Sequence, residues 1–315
     1  MSPVRGIHHV TAISGNAQEN LEFYTEVFGL RLVKRSVNQD VPDTYHLFYA
    51  DAEGHPGTDL TFFPWPQMPP GRKGAGLAVE VGFAVPEGSL GFWAERLEAM
   101  GGPLTPERRF GENVLELRDV HGLSLSLTEA SGPREWTPWQ ESPVPERHQI
   151  RGFHSVRLWE RSLAASERFL EEALGFERAA EEAGWHRFGV DGGGSGKWVE
   201  IRELPGERLG SWGTGAIHHV AFRVSGDEEQ LEVRRRVLAA GSSPTPVIDR
   251  FWFHSVYFKE PGGVLFEVAT DEPGFTVDED LAHLGERLIL PPWLEPHRPE
   301  IEAALPPLET AVRDR

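Results

Sequence analysis

Short β-rich segments alternate along the chain with longer segments whose apolar positions recur with a helical period. Four of the longer segments end just before a glycine, the residue that most readily takes the left-handed conformation past a helix end. They predict helices at Ala17–Phe28, Leu90–Met100, Leu163–Leu174 and Glu228–Ala240, followed by Gly29, Gly101, Gly175 and Gly241. A strand precedes each helix, and strand candidates broken by turn residues follow it. The pattern therefore predicts the order strand, helix and three strands four times.

The first strands of the four units resemble one another in sequence. The close copies are Ile7-His8-His9-Val10-Thr11, Phe153-His154-Ser155-Val156-Arg157 and Ile217-His218-His219-Val220-Ala221, and Val79–Val85 is a weaker copy. Positions 9, 81, 155 and 219 lie 72, 74 and 64 residues apart, which supports an internal repeat. In the last unit the strands after the helix are predicted at Pro246–Arg250, Phe253–Lys259 and Val264–Ala269. We interpret the chain as an α+β protein made of four βαβββ modules.

Two proline-rich stretches, Pro64–Gly76 and Gly132–Pro145, are typical of linkers. They suggest a division of the chain into four parts: residues 1–131 with modules 1 and 2, a linker at 132–150, residues 151–272 with modules 3 and 4, and a proline-rich tail at 273–315. The tail is expected to wrap the body as an ordered arm with one short helix at Leu281–Leu290. A frayed end beyond Glu300 is the alternative.

The charge balance and the absence of cysteine restrict partners and chemistry. Lys and Arg number 31 against 49 Asp and Glu, a net charge of −18, so the long-range field repels nucleic acid and anionic membrane surfaces. Without cysteine, disulfides and thiolate metal sites are excluded, and any metal must be held by histidine nitrogen and carboxylate oxygen. No apolar run approaches the ~18 residues of a membrane span. We expect a cytoplasmic protein, and exposed strand edges leave a homo-oligomer open.

Candidate metal ligands are found where the repeats differ. The residue before the valine of each first strand is His9, Val81, Ser155 and His219. Four residues past a glycine in each last strand stand Thr61, Ser126, Glu200 and Glu267. Modules 1 and 4 thus supply two imidazoles and one carboxylate, a set that suits iron(II) and leaves positions open for substrate and dioxygen.

Two points stay open on the residues alone. Neighbouring strand residues face opposite sides, so only one of His8 and His9, and only one of His218 and His219, can point into a shared cavity. Glu200 is expected to be an ordinary exposed strand carboxylate. The remaining histidines are expected at solvated surface positions: His46, His55, His121, His148, His186, His283 and His297.

These residues carry a resemblance to a known family. From Ile7 to the tail, the chain resembles the vicinal oxygen chelate superfamily (glyoxalase, bleomycin resistance and extradiol dioxygenase proteins), and within it the four-module ring-cleaving dioxygenases of para-hydroquinones. The two His-His-Val strands and the stretch Asp249–Thr270, with its Pro261-Gly262-Gly263 turn, carry the resemblance most sharply. It implies two cupped mixed-sheet barrels, with modules 1 and 4 enclosing the metal.

The resemblance also implies roles for individual residues. His9, His219 and Glu267 would be the metal ligands, so the second histidine of each pair would face the metal. Thr11, His218, Arg250 and Tyr257 would surround substrate and oxygen, with Arg250 and Tyr257 stabilising developing negative charge. The implied activity is iron(II)-dependent insertion of dioxygen into a hydroquinone or a related dihydroxylated aromatic compound, although manganese(II) and zinc(II) accept the same ligands.

Two other functions are compatible with the same fold. A glyoxalase-type isomerase or lyase usually has a fuller ligand set, and Thr61 is a poor metal ligand at the fourth equivalent position. A non-catalytic protein that sequesters an aromatic compound needs no metal, and the paired histidine strands would then have no explanation. Both alternatives are weaker than the dioxygenase interpretation.

Overall fold

The computed structural model describes residues 3–99, 104–132 and 134–310. Within them the strands are β1 Ile7–Ser14, β2 Arg31–Asn38, β3 Val41–Ala50, β4 Asp59–Pro64, β5 Leu77–Val85, β6 Thr105–Arg109, β7 Glu112–Arg118, β8 Ser124–Glu129, β9 Phe153–Glu160, β10 Glu177–Glu182, β11 Trp185–Gly189, β12 Trp198–Glu203, β13 Ile217–Val224, β14 Ile248–Asp249, β15 Phe253–Lys259 and β16 Leu265–Pro273. The α-helices are α1 Ala17–Glu22, α2 Leu90–Glu98, α3 Leu163–Phe169, α4 Asp227–Ala239 and α5 Arg298–Ala304. Each module has the predicted order of one strand, one helix and three strands.

The strands form two eight-stranded mixed sheets. The first sheet has the order β14-β15-β16-β13-β1-β4-β3-β2 and joins modules 1 and 4, while the second has the order β10-β11-β12-β9-β5-β8-β7-β6 and joins modules 2 and 3. In each module the first strand runs parallel to the last, and the modules meet through antiparallel first strands, β1 with β13 and β5 with β9. The predicted fold, with modules 1 and 4 in one sheet, is confirmed. Each sheet pairs one module from each half of the chain. The linker boundary at 132–150 stays a prediction.

The predicted helices are present, although two of them change pitch before they end. The Asn16 side chain caps α1 by accepting hydrogen bonds from two backbone N–H groups. A π-helical turn at Phe23–Val27 continues α1, and a second one at Leu170–Leu174 continues α3 until Gly175, whose φ of 73° ends the helix. Helix α2 is described to Glu98, and its predicted end at Met100 lies outside the described residues.

One face of the first sheet belongs to the apolar core, and the other face holds the candidate ligands. Val10, Val220 and Phe266 are fully buried in the larger apolar cluster, which also includes strands of the second sheet. Because side chains alternate along a strand, the adjacent His9, His219 and Glu267 face the opposite, concave side of the sheet. The same alternation that buries the core therefore brings the polar residues together.

The tail differs from its prediction. A helix at Leu281–Leu290 is wrong: only a 3-10 turn at Leu281–His283 is present, Gly285 has a φ of 80°, and Leu288 bridges to Arg35 of β2. Just before this turn the tail is anchored by Lys34, whose buried ammonium donates to Asp278 at 2.7 Å and Glu279 at 2.5 Å.

The bridge to β2 and the burial of Leu284, Leu288 and Leu290 outweighed the local helical spacing. The tail helix lies further on, at α5. Among the described residues, no helix is both long and apolar enough to span a membrane.

Candidate metal centre

Three donor side chains converge on the concave face of the first sheet. His9, His219 and Glu267 lie on the neighbouring strands β1, β13 and β16. The imidazole Nε2 atoms are 3.3 Å apart, and Glu267 Oε2 lies 3.3 Å from His9 Nε2 and 3.0 Å from His219 Nε2. Ligand atoms at right angles, each about 2.1 Å from one metal ion, are about 3.0 Å apart. The small side chain of Ala221, which pairs with both His9 and Glu267, leaves room between them.

The carboxylate of Glu267 has one satisfied and one unsatisfied oxygen. Ser255 Oγ donates a hydrogen bond to Oε1 at 2.5 Å. Oε2 is buried and has no hydrogen-bond donor within the described part of the chain, and it faces the two Nε2 atoms. A buried acceptor without a donor is costly, whereas a cation at this point would satisfy it. The donor set therefore fits a divalent metal ion.

The protonation states also suit metal binding. Burial lowers the pKa of His219, so its imidazole is neutral. Burial alone would raise the pKa of Glu267, but the positive charge and hydrogen bonds that His9 and His219 provide in their protonated forms outweigh it and hold the pKa well below its usual range, so the carboxylate is ionised. A neutral imidazole and an ionised carboxylate are the forms that coordinate metals.

The histidine doublets fix the tautomers of the two imidazoles. His8 Nε2 lies 3.2 Å from the carbonyl oxygen of Thr270, to which it can only donate. His8 Nδ1 is then an acceptor for His9 Nδ1–H at 2.9 Å, which leaves the lone pair of His9 Nε2 free for a metal. His218 Nδ1 lies 2.8 Å from His219 Nδ1 and can act on His219 in the same way. Each first histidine thus orients the second.

His8 is a residue that the sequence reasoning did not assign to the site. Burial lowers its pKa well below the usual value, consistent with a neutral acceptor. The ring of Phe253 packs against His8 at 5.3 Å and His9 at 5.1 Å between ring centres, which restrains both imidazoles. The signal was the doublet itself, since a second histidine beside each ligand would be expected to accept its remaining N–H.

Thr11 and His218 both lie within hydrogen-bond distance of His219. Thr11 Oγ1 is 2.9 Å from His219 Nε2 and 2.8 Å from Thr61 Oγ1. Thr61 Oγ1 is in turn 2.8 Å from His46 Nε2. The residue at the fourth equivalent position therefore belongs to a hydrogen-bond chain of neutral groups.

Tyr257 and Arg250 lie on the other side of the imidazoles. The Tyr257 ring meets the His219 ring edge-on at 5.6 Å, and burial, reinforced by the charge of Glu267, raises the pKa of the phenol. The Arg250 guanidinium lies 5.4 Å from the centre of the Tyr257 ring and donates to Asp40 at 2.9 Å. A protonated phenol and a permanent cation thus lie close to the metal ligands.

Aromatic rings form a wall beside His218 and His46. His218 stacks on the half-exposed Trp212 at 4.4 Å, and Phe63 meets His218 edge-on at 5.6 Å. The ring of His46 lies 4.5 Å from that of Phe63 and 3.9 Å from that of Phe48. The prediction that His46 is a solvated surface residue is wrong, since it is partly buried and joins this wall.

The second sheet shows what replaces the donors elsewhere in the repeat. His9 pairs with Ala221, and Glu80 pairs with Arg157, so Glu80 is equivalent to His9. The assignment of Val81 to this position was wrong by one residue. A one-residue shift moves a side chain to the other face, and Val81 is indeed buried in the core.

Charged side chains occupy the place in the second sheet that is equivalent to the metal centre of the first. The guanidinium of Arg157, which stands where the first sheet has Ala221, donates to Glu200 at 2.7 Å, and Arg187 donates to Glu200 at 2.7 Å. Glu200 is 1% exposed, so the prediction of an exposed carboxylate is wrong. With the carboxylate paired to arginines and no imidazole at the equivalent positions, the described residues of this sheet offer no second site of the same kind.

Comparison with known proteins agrees with the fold. The chain matches the family described as the Glyoxalase/Bleomycin resistance protein/Dioxygenase superfamily over residues 6–125 and 152–268. It is 41% identical over 309 residues, 98% of each chain, to the "Putative ring-cleaving dioxygenase MhqO" of Bacillus subtilis. It is 32% identical to the "Chlorohydroquinone/hydroquinone 1,2-dioxygenase" of Sphingobium indicum, over 95% of each chain.

A solved structure supports the same assignment. The crystal structure of a "putative dioxygenase" from Bacillus subtilis superimposes with a TM-score of 0.91 at 40% sequence identity, covering 98% of this chain and 99% of that one. Both the family match and these relatives extend over most of the sequence. The chain therefore belongs to the Glyoxalase/Bleomycin resistance protein/Dioxygenase superfamily.

Proposed function

We propose that the protein is an iron(II)-dependent ring-cleaving dioxygenase that inserts both atoms of dioxygen into a hydroquinone or a substituted hydroquinone. The observation that carries the proposal is the convergence of His9, His219 and Glu267 on one point, with Glu267 Oε2 buried and without a hydrogen-bond donor among the described residues. Two imidazoles and one carboxylate on one side of a metal leave its other positions open, as oxygen-activating iron requires. The names of the relatives support the reaction and the substrate class.

The three donors would hold the metal, with Ser255, His8 and His218 fixing their orientation. Iron(II) bound there would acidify a coordinated phenol and pass electron density from the bound ring to dioxygen, so that the hydroquinone itself is the reductant.

Two residues are suited to controlling charge on the substrate. The raised pKa of Tyr257 keeps its phenol protonated, so it can donate a hydrogen bond to an anionic oxygen. The pKa of Arg250 is also raised, because Tyr257 and Asp40 outweigh the effect of burial, and its guanidinium remains a cation. Groups of this kind, already aimed at developing negative charge, typically contribute about 10²–10³ in rate.

The aromatic wall favours a flat substrate. Trp212, Phe63 and His46 present ring faces and edges beside His218. Burial lowers the pKa of His218 to about 3, so this imidazole is neutral. His218 Nδ1 accepts the hydrogen bond from His219 Nδ1–H, so the proton of His218 is on Nε2. This Nε2–H of His218 is free to donate to a substrate hydroxyl. A planar ring with two hydroxyl groups would meet both the wall and these donors.

The direct test is oxygen consumption after anaerobic loading with iron(II), measured against a panel of hydroquinones and catechols. We expect one dioxygen consumed per hydroquinone, with both oxygen atoms in the ring-opened product, and slower turnover of catechols. The variant His219→Asn should abolish uptake. The matched control is His154→Asn, which changes a buried histidine of the second sheet and should retain it.

Iron-loaded protein that consumes no oxygen with any member of the panel would contradict the proposal. Such protein would favour an isomerase or lyase, whereas protein that binds a hydroquinone but no metal would favour a sequestering function.

A further inference from the structure

A cavity of about 270 Å³ lies apart from the metal centre, at the end of the second sheet where β5 finishes and β9 begins. The apolar side chains of Ala84, Pro86 and Ala130 form part of its wall, and Arg134 and Arg151 line it. None of its lining residues belongs to the metal centre or to the aromatic wall beside it. Its chemistry is therefore separate from the proposed ring cleavage.

Both arginines lack a carboxylate partner. In the described part of the chain neither Arg134 nor Arg151 forms an ion pair, in a protein with 49 acidic residues against 31 basic ones. Arg134 donates only to main-chain oxygens, those of Arg151 and of Phe153. Burial and the nearby charge of Arg151 lower the pKa of Arg134 to about 10. Two like charges thus line one cavity, and neither is paired with a carboxylate among the described residues.

One donor at this place is unsatisfied. The Nε–H of Arg151 is buried and has no acceptor among the described residues. The ring of Trp136 lies 4.7 Å from the Arg151 guanidinium and restrains it. A buried charged donor without an acceptor costs free energy, and an anion in the cavity would remove that cost.

The charge and the volume indicate what kind of anion fits. The lining contains two arginines and one acid, Glu87, which leaves one positive charge to be balanced. A cavity of about 150 Å³ can hold a benzene molecule, so this larger one has room for a ring and a carboxylate. Apolar wall residues suit a ligand with an apolar body, and guanidinium groups pair well with carboxylate oxygens.

We propose that this cavity is a binding site for a small organic monocarboxylate, whose carboxylate pairs with Arg134 and Arg151 and whose apolar body lies against Ala84, Pro86 and Ala130. Ser195 also lines the cavity. Binding there requires no metal.

The test is isothermal titration of the full-length protein, without added metal, with benzoate. Benzyl alcohol has the ring without the charge, acetate has the charge without the ring, and inorganic phosphate represents a compact anion. We expect benzoate to bind with a dissociation constant on the order of 1 mM or below, and each of the other three compounds at least about tenfold more weakly. Arg151→Gln should weaken benzoate binding by about tenfold or more, because one charge-assisted pair is lost.

Two further variants make the outcome decisive. Arg208→Gln removes an exposed arginine that does not line the cavity and should leave benzoate affinity unchanged. Ala130→Leu keeps both arginines, fills part of the cavity and should abolish binding even if the arginine variant folds poorly. The proposal is overturned if benzoate does not bind, if phosphate or benzyl alcohol binds as tightly, or if Arg208→Gln is as damaging as Arg151→Gln.

Discussion

His8→Phe tests whether the first histidine of a doublet controls the second. The substitution keeps a ring of similar size against Phe253 but removes the acceptor 2.9 Å from His9 Nδ1. His9 then has a buried N–H without a partner, and its proton is no longer confined to Nδ1. Metal binding at Nε2 must supply the free energy that restores the required tautomer and ring orientation.

The expected loss can be worked from that one contact. A buried neutral donor left unsatisfied costs about 1–3 kcal/mol. Since about 1.4 kcal/mol corresponds to a factor of ten, the metal affinity should fall by about 5- to 140-fold. Loss of the partner of a metal-bound histidine elsewhere has a similar effect, about 10- to 100-fold.

Metal affinity can be measured without catalysis, by competition between the protein and a chromophoric chelator for manganese(II). The matched control is His154→Phe, a buried histidine beside the metal-free position of the third module. His154 lies 3.0 Å from Ser195 Oγ, so its loss also disturbs a buried hydrogen bond. If His8→Phe is folded and binds manganese as tightly as the wild type, or if His154→Phe weakens binding equally, the reasoning about the doublets is refuted.

Substitutions of three other residues, Tyr257, Trp212 and Glu160, give further tests. Tyr257→Phe should lower turnover of hydroquinone by about 10²-fold with manganese affinity unchanged, because only a proton donor is lost, and unaltered turnover would contradict a chemical role. Trp212→Ala, which removes the ring stacked on His218 at 4.4 Å, should raise KM about three- to tenfold with little change in kcat, and an unchanged KM would exclude it from the substrate wall. Burial, with the neighbouring Glu260, raises the pKa of Glu160 to about 9. A group whose pKa rises on folding contributes stability at low pH that is lost as pH rises toward the folded value, so wild-type stability should decline between about pH 5 and pH 9. Glu160→Gln cannot ionise and should show a smaller decline in urea midpoints, and parallel pH profiles would contradict the assignment.

The modular fold could be predicted because its signals are local. A glycine after a helix and a period of two along a strand depend on neighbouring residues, and these features located α1, α3 and α4 closely. The tail depended on tertiary contacts instead. Its leucines fit a helical spacing, but the buried anchor of Lys34 and the bridge from Leu288 to Arg35 hold it against module 1.

The site was predictable in part for a similar reason. Repetition of the doublet pointed to the pairs His8-His9 and His218-His219. The family resemblance supplied the choice of the second histidine in each pair and the meeting of β1 with β13, which pair across more than 200 residues. The repeat did not identify Glu80 as the equivalent of His9, because the weak copy in module 2 does not fix the alignment of its first strand. A shift of one residue moves a side chain to the other face of the sheet. His46 could not be found at all, because a single histidine on β3 gives no sign that the curved sheet turns it toward the donors.

The central claim is that His9, His219 and Glu267 together hold one metal ion between modules 1 and 4. Anaerobic equilibrium dialysis against iron(II), with iron counted per chain, tests it most directly when the wild type is compared with Glu267→Gln. We predict one tightly bound iron per wild-type chain and a large loss of affinity in the variant. No bound iron in the wild type, or the same affinity and stoichiometry in Glu267→Gln, would contradict the account.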